Sequence, residues 1–137
     1  MSHTILIADD SLYIREALCK FFEQEDFNVC GEAENGKEAV DKAQELHPDL
    51  ILLDLSMPVM NGLEATRVLK QMMPEVPVIM YSAEADSSTE KAARAAGVCA
   101  LILKSENISV LLGKARSVLE PHEFRRFQPL STNAHRW

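Results

Sequence analysis

The chain has little with which to cross-link itself and nothing of the length that crosses a membrane. Its three cysteines, Cys19, Cys30 and Cys99, form no C-x-x-C pair. An odd, scattered set makes neither a disulfide framework nor a zinc site. Each sits among apolar neighbours, which reads as buried free thiols in a reducing compartment. No basic segment followed by an apolar one opens the chain, so no secretory signal is expected. No apolar run approaches the ~20 residues a membrane helix needs. The expected location is therefore cytoplasmic, with no membrane partner. Repeats and low-complexity tracts are also missing. A basic surplus is missing where it would matter most. Residues 1–60 hold 13 acids against 4 bases, leaving −9, while residues 61–137 hold 8 against 10, leaving +2. Phosphate backbones want Lys and Arg, so the first half is no nucleic-acid surface. It suits a cation or a basic partner.

What is present fits one domain of 137 residues, 47% hydrophobic and 26% charged, long enough to bury a core without staples. Short apolar runs alternate with longer segments of helical period. TILIA (4–8), FNVCGEA (27–33), DLILLDL (49–55), VPVIMYS (76–82) and CALILK (99–104) read as strands. Between them, helices are expected from Ser11, from Asn35 to about Leu46, from Gly62 to Met72, from a Ser87 or Ser88 cap to Ala96, and from Asn107 to Leu119. Pro48, Pro74 and Pro121 stand at helix ends and Gly97 closes the fourth, as stop signals do. Strands that read apolar throughout are buried on both faces. The expected fold class is α/β: a flavodoxin-like, doubly wound (βα)5 three-layer sandwich with parallel strand order 2-1-3-4-5. The expected domain is residues 1–120. Residues 121–137, PHEFRRFQPLSTNAHRW, lose the pattern and read as a tail or linker.

In such a sheet, ligands bind outside the carboxyl ends of the strands, where the order reverses. The first strand ends in Asp9 and Asp10, the third in Asp54 and then Ser56, the fourth in Ser82, the fifth in Lys104. Each has a modest explanation by itself. Asp10 or Ser11 can cap a helix. Asp54 can end a strand in a turn. Ser82 can satisfy a backbone group, and lysines are mostly solvated. Those explanations do not account for complementary chemistry at every rim position. Three carboxylates on one rim repel unless a cation sits among them. Oxygen-only ligands suit a hard ion, Mg²⁺ or Mn²⁺. An aspartate beside a metal, a lysine and a hydroxyl is equipped to become an aspartyl-phosphate.

With these residues in place, the chain resembles the receiver domain of two-component response regulators, related in fold to the single-domain chemotaxis regulator. The resemblance runs from about Thr4 to Leu119 and rests on Asp9-Asp10, on DLSMPVMNG from Asp54 to Gly62, on Ser82-Ala83, and on Lys104 within LILKS. It implies that Asp54 accepts the phosphoryl group from a histidine kinase or phosphotransfer protein. Asp9, Asp10 and Asp54 would hold Mg²⁺, with the Ser56 carbonyl as a further ligand. Ser82 would bind the phosphoryl group, and Lys104 would pair with it and with Asp54. Activation would shift the surface of the fourth helix, fifth strand and fifth helix. A homodimer through the first and fifth helices, or the fourth and fifth, is compatible with it. VIMYSAEAD and LILKSE are similar to receivers of DNA-binding regulators. The output is thus expected either from a stand-alone receiver or from a transcription regulator's regulatory domain, a switch rather than a turnover enzyme.

Two positions depart from the family pattern. An aromatic residue often stands three residues before the lysine, where this chain has Leu101. A leucine cannot swing a ring inward, so the loop from Ala83 to Ser88 is expected to carry more of the signal. Proline often follows the lysine in a cis peptide, where this chain has Ser105. Ser56 and Glu84 flank the expected phosphate, where such residues tune the access of attacking water. Rival readings fit less well. A haloacid-dehalogenase-like phosphatase wants an acid two residues after its nucleophile, where Ser56 stands. A flavin-binding module wants a Ser-, Thr- or Gly-rich phosphate loop where this chain has acidic ADDSL. A receiver-like interaction module without phosphorylation would have no use for the acids, Ser82 and Lys104.

Overall fold

The computed structural model describes residues 3–120. The tail expected at 121–137 lies outside the described residues. Ten elements alternate as anticipated: β1 His3–Ala8, α1 Leu12–Gln24, β2 Phe27–Ala33, α2 Gly36–Leu46, β3 Leu50–Asp54, α3 Gly62–Met72, β4 Val78–Ser82, α4 Ser87–Ala96, β5 Ala100–Leu103 and α5 Ile108–Val118. The five strands are parallel in the order β2-β1-β3-β4-β5. Helices lie on both faces of the sheet. Side chains alternate across each strand, so every strand feeds two cores. Leu6, Leu53, Met80 and Leu101 join the layer that also holds Ala39, Val40, Ala65, Leu69 and Ala93 from α2, α3 and α4. Ile7, Leu52, Ile79, Tyr81 and Ile102 join the layer with Leu18 and Phe22 of α1 and Leu111 and Ala115 of α5. The Phe22 and Phe27 rings meet edge to face, 5.1 Å between centroids.

Local signals place the helix starts. Ser11, Asn35, Asn61 and Asn107 each turn a side-chain oxygen onto a backbone N–H of the first turn, which satisfies a donor the helix cannot. At Asn61 the bond is reciprocated by Glu64, closing a capping box. The cap of α4 differs from expectation. It is Asp86, whose Oδ1 accepts from Thr89 N–H at 2.8 Å, while Ser87 is the first helical residue. An aspartate caps as well as a serine does, and the three-residue reach to Thr89 selects it. Two broader expectations also need correcting. β2 is an edge strand and only partly buried, with a register shift opposite Ile5 and Leu6, whereas the interior strands β3 and β4 are buried throughout. None of the three cysteines is in a disulfide, but only Cys19 is buried; Cys30 and Cys99 are half-buried. Burial, with Glu32 and Glu23 nearby, pushes the Cys19 thiol up to about 11, so it stays protonated and unreactive.

The loop after β3 is where backbone geometry is least relaxed. Met60 N–H donates to the Pro58 carbonyl at 2.7 Å, closing a three-residue turn around Val59. Val59 has φ +70°, a region that a β-branched residue rarely enters. Its side chain is 77% exposed, so nothing in the core compensates. The turn is held from outside: Gly36 N–H donates to the Met60 carbonyl at 2.9 Å and Gly62 N–H to the Leu55 carbonyl at 2.8 Å. Both approaches exclude a side chain. A Cβ on Gly36 would fall 2.2 Å from the Met60 oxygen, and one on Gly62 2.5 Å from the Asp54 oxygen. Replacing Val59 by glycine should therefore raise stability by about 1 kcal/mol, since relief of the left-handed strain exceeds the entropy a glycine adds to the unfolded chain. Urea denaturation of V59G beside the parent checks this; an unchanged or lower midpoint would show that the turn is not strained.

Candidate functional site

The carboxyl ends of β1 and β3 are neighbours in the sheet, and this brings Asp9, Asp10 and Asp54 to one rim. Each offers a carboxylate oxygen, and the three oxygens lie within 4.8 Å of one another. Asp9 and Asp54 are buried and Asp10 is exposed. From the end of β5, Lys104 reaches between the two buried acids. Its Nζ is 3.0 Å from Asp9 Oδ2 and 3.4 Å from Asp54 Oδ1. The lysine was expected beside Asp54; its shorter contact is to Asp9, a partner 95 residues away. Its backbone N–H donates to the Ser82 carbonyl at 2.7 Å, which carries the β4–β5 ladder one residue beyond the strand. The Lys104–Ser105 peptide is trans.

Asp9 is held at both ends. Its N–H donates to the Ala33 carbonyl at 3.0 Å, and its Oδ1 accepts from Ser11 N–H at 2.8 Å. Its own carbonyl accepts from Arg15 Nη1 at 2.7 Å, and Arg15 Nε donates to Glu32 Oε1 at 2.9 Å. Asp54 is held less tightly, with Ser56 N–H 3.4 Å from Oδ1. Among the described residues, the carboxylate of Asp10 accepts no hydrogen bond. Ser82 closes the rim at β4, but its hydroxyl faces its own loop. Oγ donates to the Glu84 carbonyl at 2.6 Å and sits 3.3 Å from Glu84 N–H. Leu101 is fully buried on the face of α2, α3 and α4, away from this cluster.

The electrostatics follow from burial and like charge. Burial first, then the Asp9 carboxylate, raises the Asp54 pKa from 3.8 to about 6, against the opposing pull of Lys104 and the Ser56 N–H. Burial works against the charge of Lys104 as well, yet its hydrogen bond to Asp9 and the fields of Asp54 and Asp9 outweigh it and raise its pKa. One ammonium thus faces three acids. The donor set is all oxygen, clustered, and short of positive charge by more than one unit. That is the chemistry of a hard divalent cation.

A match to the family model for the response regulator receiver domain covers residues 5–116. The chain belongs to the response regulator receiver domain family. The receiver is 35% identical over 115 residues to the transcriptional regulatory protein LnrK of Bacillus subtilis (strain 168), covering 83% of this chain and 52% of LnrK. It is 36% identical over 121 residues to the response regulator protein VraR of Staphylococcus epidermidis (strain RP62A), covering 88% of this chain and 58% of VraR. It thus spans little more than half the length of the curated relatives it matches. Among solved structures, the CheX–CheY–BeF3–Mg²⁺ complex from Borrelia burgdorferi aligns with a TM-score of 0.82 at 29% identity, over 87% of this chain and 90% of that one.

Sequence reading missed two residues of this receiver's site. Arg15 braces the Asp9 carbonyl. Tyr81, the residue before Ser82, places its ring 5.7 Å from Lys104 Nζ. Nothing in the linear sequence marks Tyr81; its place beside Asp54, its register partner in β3, emerges only from the strand pairing.

The raised pKa of Asp54 has a consequence for stability. The unfolded chain releases this proton near pH 3.8 and the folded chain near pH 6. Between those values the folded state binds more protons, so stability falls as pH rises through the window and stays lowered above it. Without divalent cations, Asp54→Asn should be more stable than the parent at pH 7.5 by up to roughly 3 kcal/mol, the gap shrinking toward pH 4. Denaturant midpoints in EDTA across pH 4–8 measure it. A gap that stayed constant with pH would mean that Asp54 ionises normally.

Proposed function

We propose that this receiver accepts a phosphoryl group on Asp54 from a phosphohistidine of a kinase or phosphotransfer protein, with Mg²⁺ as its working cation. The observation that carries the reading is the convergence of three carboxylate oxygens within 4.8 Å on an ammonium already in contact with two of them. The oxygens of Asp9, Asp10 and Asp54, with the Ser56 carbonyl, would hold the ion. When bound, it supplies positive charge to the oxygens of the transferring group. An Asp54 carboxylate oxygen attacks phosphorus in line. An O–P bond forms as the donor's P–N bond breaks, and the electron pair leaves on the imidazole nitrogen, which takes a proton from solvent. Lys104 meets the charge on the side of the β5 strand. Ser82 leaves the Glu84 carbonyl and donates instead to a phosphoryl oxygen, exchanging a neutral bond for a charge-assisted one. That exchange ties the phosphate to the Ala83–Ser88 loop and biases the receiver between two states. The receiver is then a switch, serving by itself or as the regulatory part of a longer regulator such as the transcriptional regulatory protein LnrK it resembles.

The exposed apolar residues support a protein donor. Leu12 and Tyr13 open α1, Val59 lies in the loop after β3, and Ile108 opens α5. All four stand at the sheet end that carries the acids, where a partner presenting a phosphohistidine would seat.

Incubation with acetyl phosphate and Mg²⁺, followed by intact-mass and peptide mass spectrometry, should give one phosphoryl adduct on Asp54. EDTA or Asp54→Asn should abolish it, and Lys104→Ala should slow its formation by roughly 10²- to 10³-fold. No adduct would leave only an interaction role. Tyr13→Ala, with a side chain 83% exposed, should reduce transfer from a cognate phosphorylated kinase while leaving the acetyl phosphate rate intact. Equal loss by both routes would remove α1 from the docking surface.

A further inference from the structure

Among the described residues, Lys104 is the cation in contact with the Asp9 and Asp54 carboxylates, and its Nζ also lies near an aromatic ring. Asp54 on β3 is in register with Tyr81 on β4, and Tyr81 with Ile102 on β5. Side chains in register on neighbouring strands share a face, and Lys104 follows Ile102 by two residues, so it shares that face too. Tyr81 therefore stands on the strand between nucleophile and ammonium. Its ring centroid is 5.7 Å from Lys104 Nζ, within the range of a cation–π contact. The ring is buried, with Ile79, Ile102 and Leu111 in its layer, and the lysine side chain is only 19% exposed. Burial raises the pKa of the phenol. The ring is therefore neutral, and the attraction is to its π face rather than to a phenolate.

We propose that Tyr81 is a positioning residue for Lys104: its ring steadies the ammonium at the height where it can serve Asp54 and, after transfer, the phosphoryl group. The need for it follows from the rest of the site. Lysine has four flexible methylenes and three donors. Asp9 and Asp54 take the ammonium on one side, and water would otherwise take the remainder. A buried ring 5.7 Å from the ammonium keeps the charge attracted without hydrating it. This rests on the proposed role of Lys104 in phosphoryl transfer, but the contact itself is testable without any phosphate.

Two readouts test it on the full chain. By NMR, the Lys104 Cε protons, assigned by their loss in Lys104→Arg, should lie upfield of the exposed lysines because of the ring current. Tyr81→Phe should keep that shift and Tyr81→Leu should lose it. With acetyl phosphate and Mg²⁺, Tyr81→Leu should phosphorylate roughly fivefold more slowly, and Tyr81→Phe at close to the parent rate. A purely structural loss in the core would lower stability without reproducing the selective change at Lys104. Lys104 protons at ordinary shifts in the parent, or a Tyr81→Leu protein as fast as the parent, would overturn the proposal. Should Tyr81→Leu fail to fold, the parent and Tyr81→Phe spectra still decide. A parent that takes no phosphoryl group refutes the proposed function instead, with the ring-current shift still deciding the contact.

Discussion

Negative charge confined at the carboxyl end of a parallel sheet is the constraint from which the rest of this receiver follows. Strands β1 and β3 lie side by side, and each ends in acid. Their carboxylates converge because the backbones that carry them are hydrogen-bonded into one ladder. Burial then makes the convergence costly. Asp54 resists ionisation up to about pH 6, and one ammonium is shared between it and Asp9. The surrounding contacts keep that arrangement from relaxing. Ser11 N–H and Lys104 hold the Asp9 carboxylate, while Arg15 holds its carbonyl. Gly62 lets α3 begin directly against the Asp54 carbonyl.

A site held under repulsion is suited to being changed by charge. The fold stores unfavourable electrostatics at Asp54 and left-handed strain at Val59 in adjoining stretches of chain, where strain at functional sites is often found. Ser82 keeps its hydroxyl on the Glu84 carbonyl, a bond that a stronger acceptor at Asp54 would outcompete. In the proposed function, new charge at Asp54 therefore meets groups that already have an alternative bond to leave. A packed core moves between discrete arrangements rather than by degrees.

Much of this was legible in the chain. Pro48, Pro74 and Gly97 end helices, and short apolar runs between them leave only a βα alternation. The acids, Ser82 and Lys104 follow strand ends, so topology alone gathers them. What was not legible depends on geometry that a linear reading lacks. Asp86 displaces Ser87 as a cap because of which oxygen reaches Thr89. The partial exposure of β2 follows from its edge position, not from its composition. Cys30 and Cys99 sit among apolar residues in the chain yet are only half-buried in the fold. Lys104 prefers Asp9, a contact across 95 residues. Tyr81 reads as one more core residue in VIMYS until the register sets it between Asp54 and the lysine.

The most direct test of the account is a calorimetric Mg²⁺ titration repeated in buffers of different ionisation heat at pH 6 and pH 8. If the three carboxylates form one cation site with Asp54 half-protonated near pH 6, binding at pH 6 must expel a fraction of a proton. That release should vanish by pH 8 and be absent from Asp54→Asn. Mg²⁺ that bound without expelling a proton at pH 6, or failed to bind at either pH, would contradict the shared, charge-strained pocket from which the signalling role was argued.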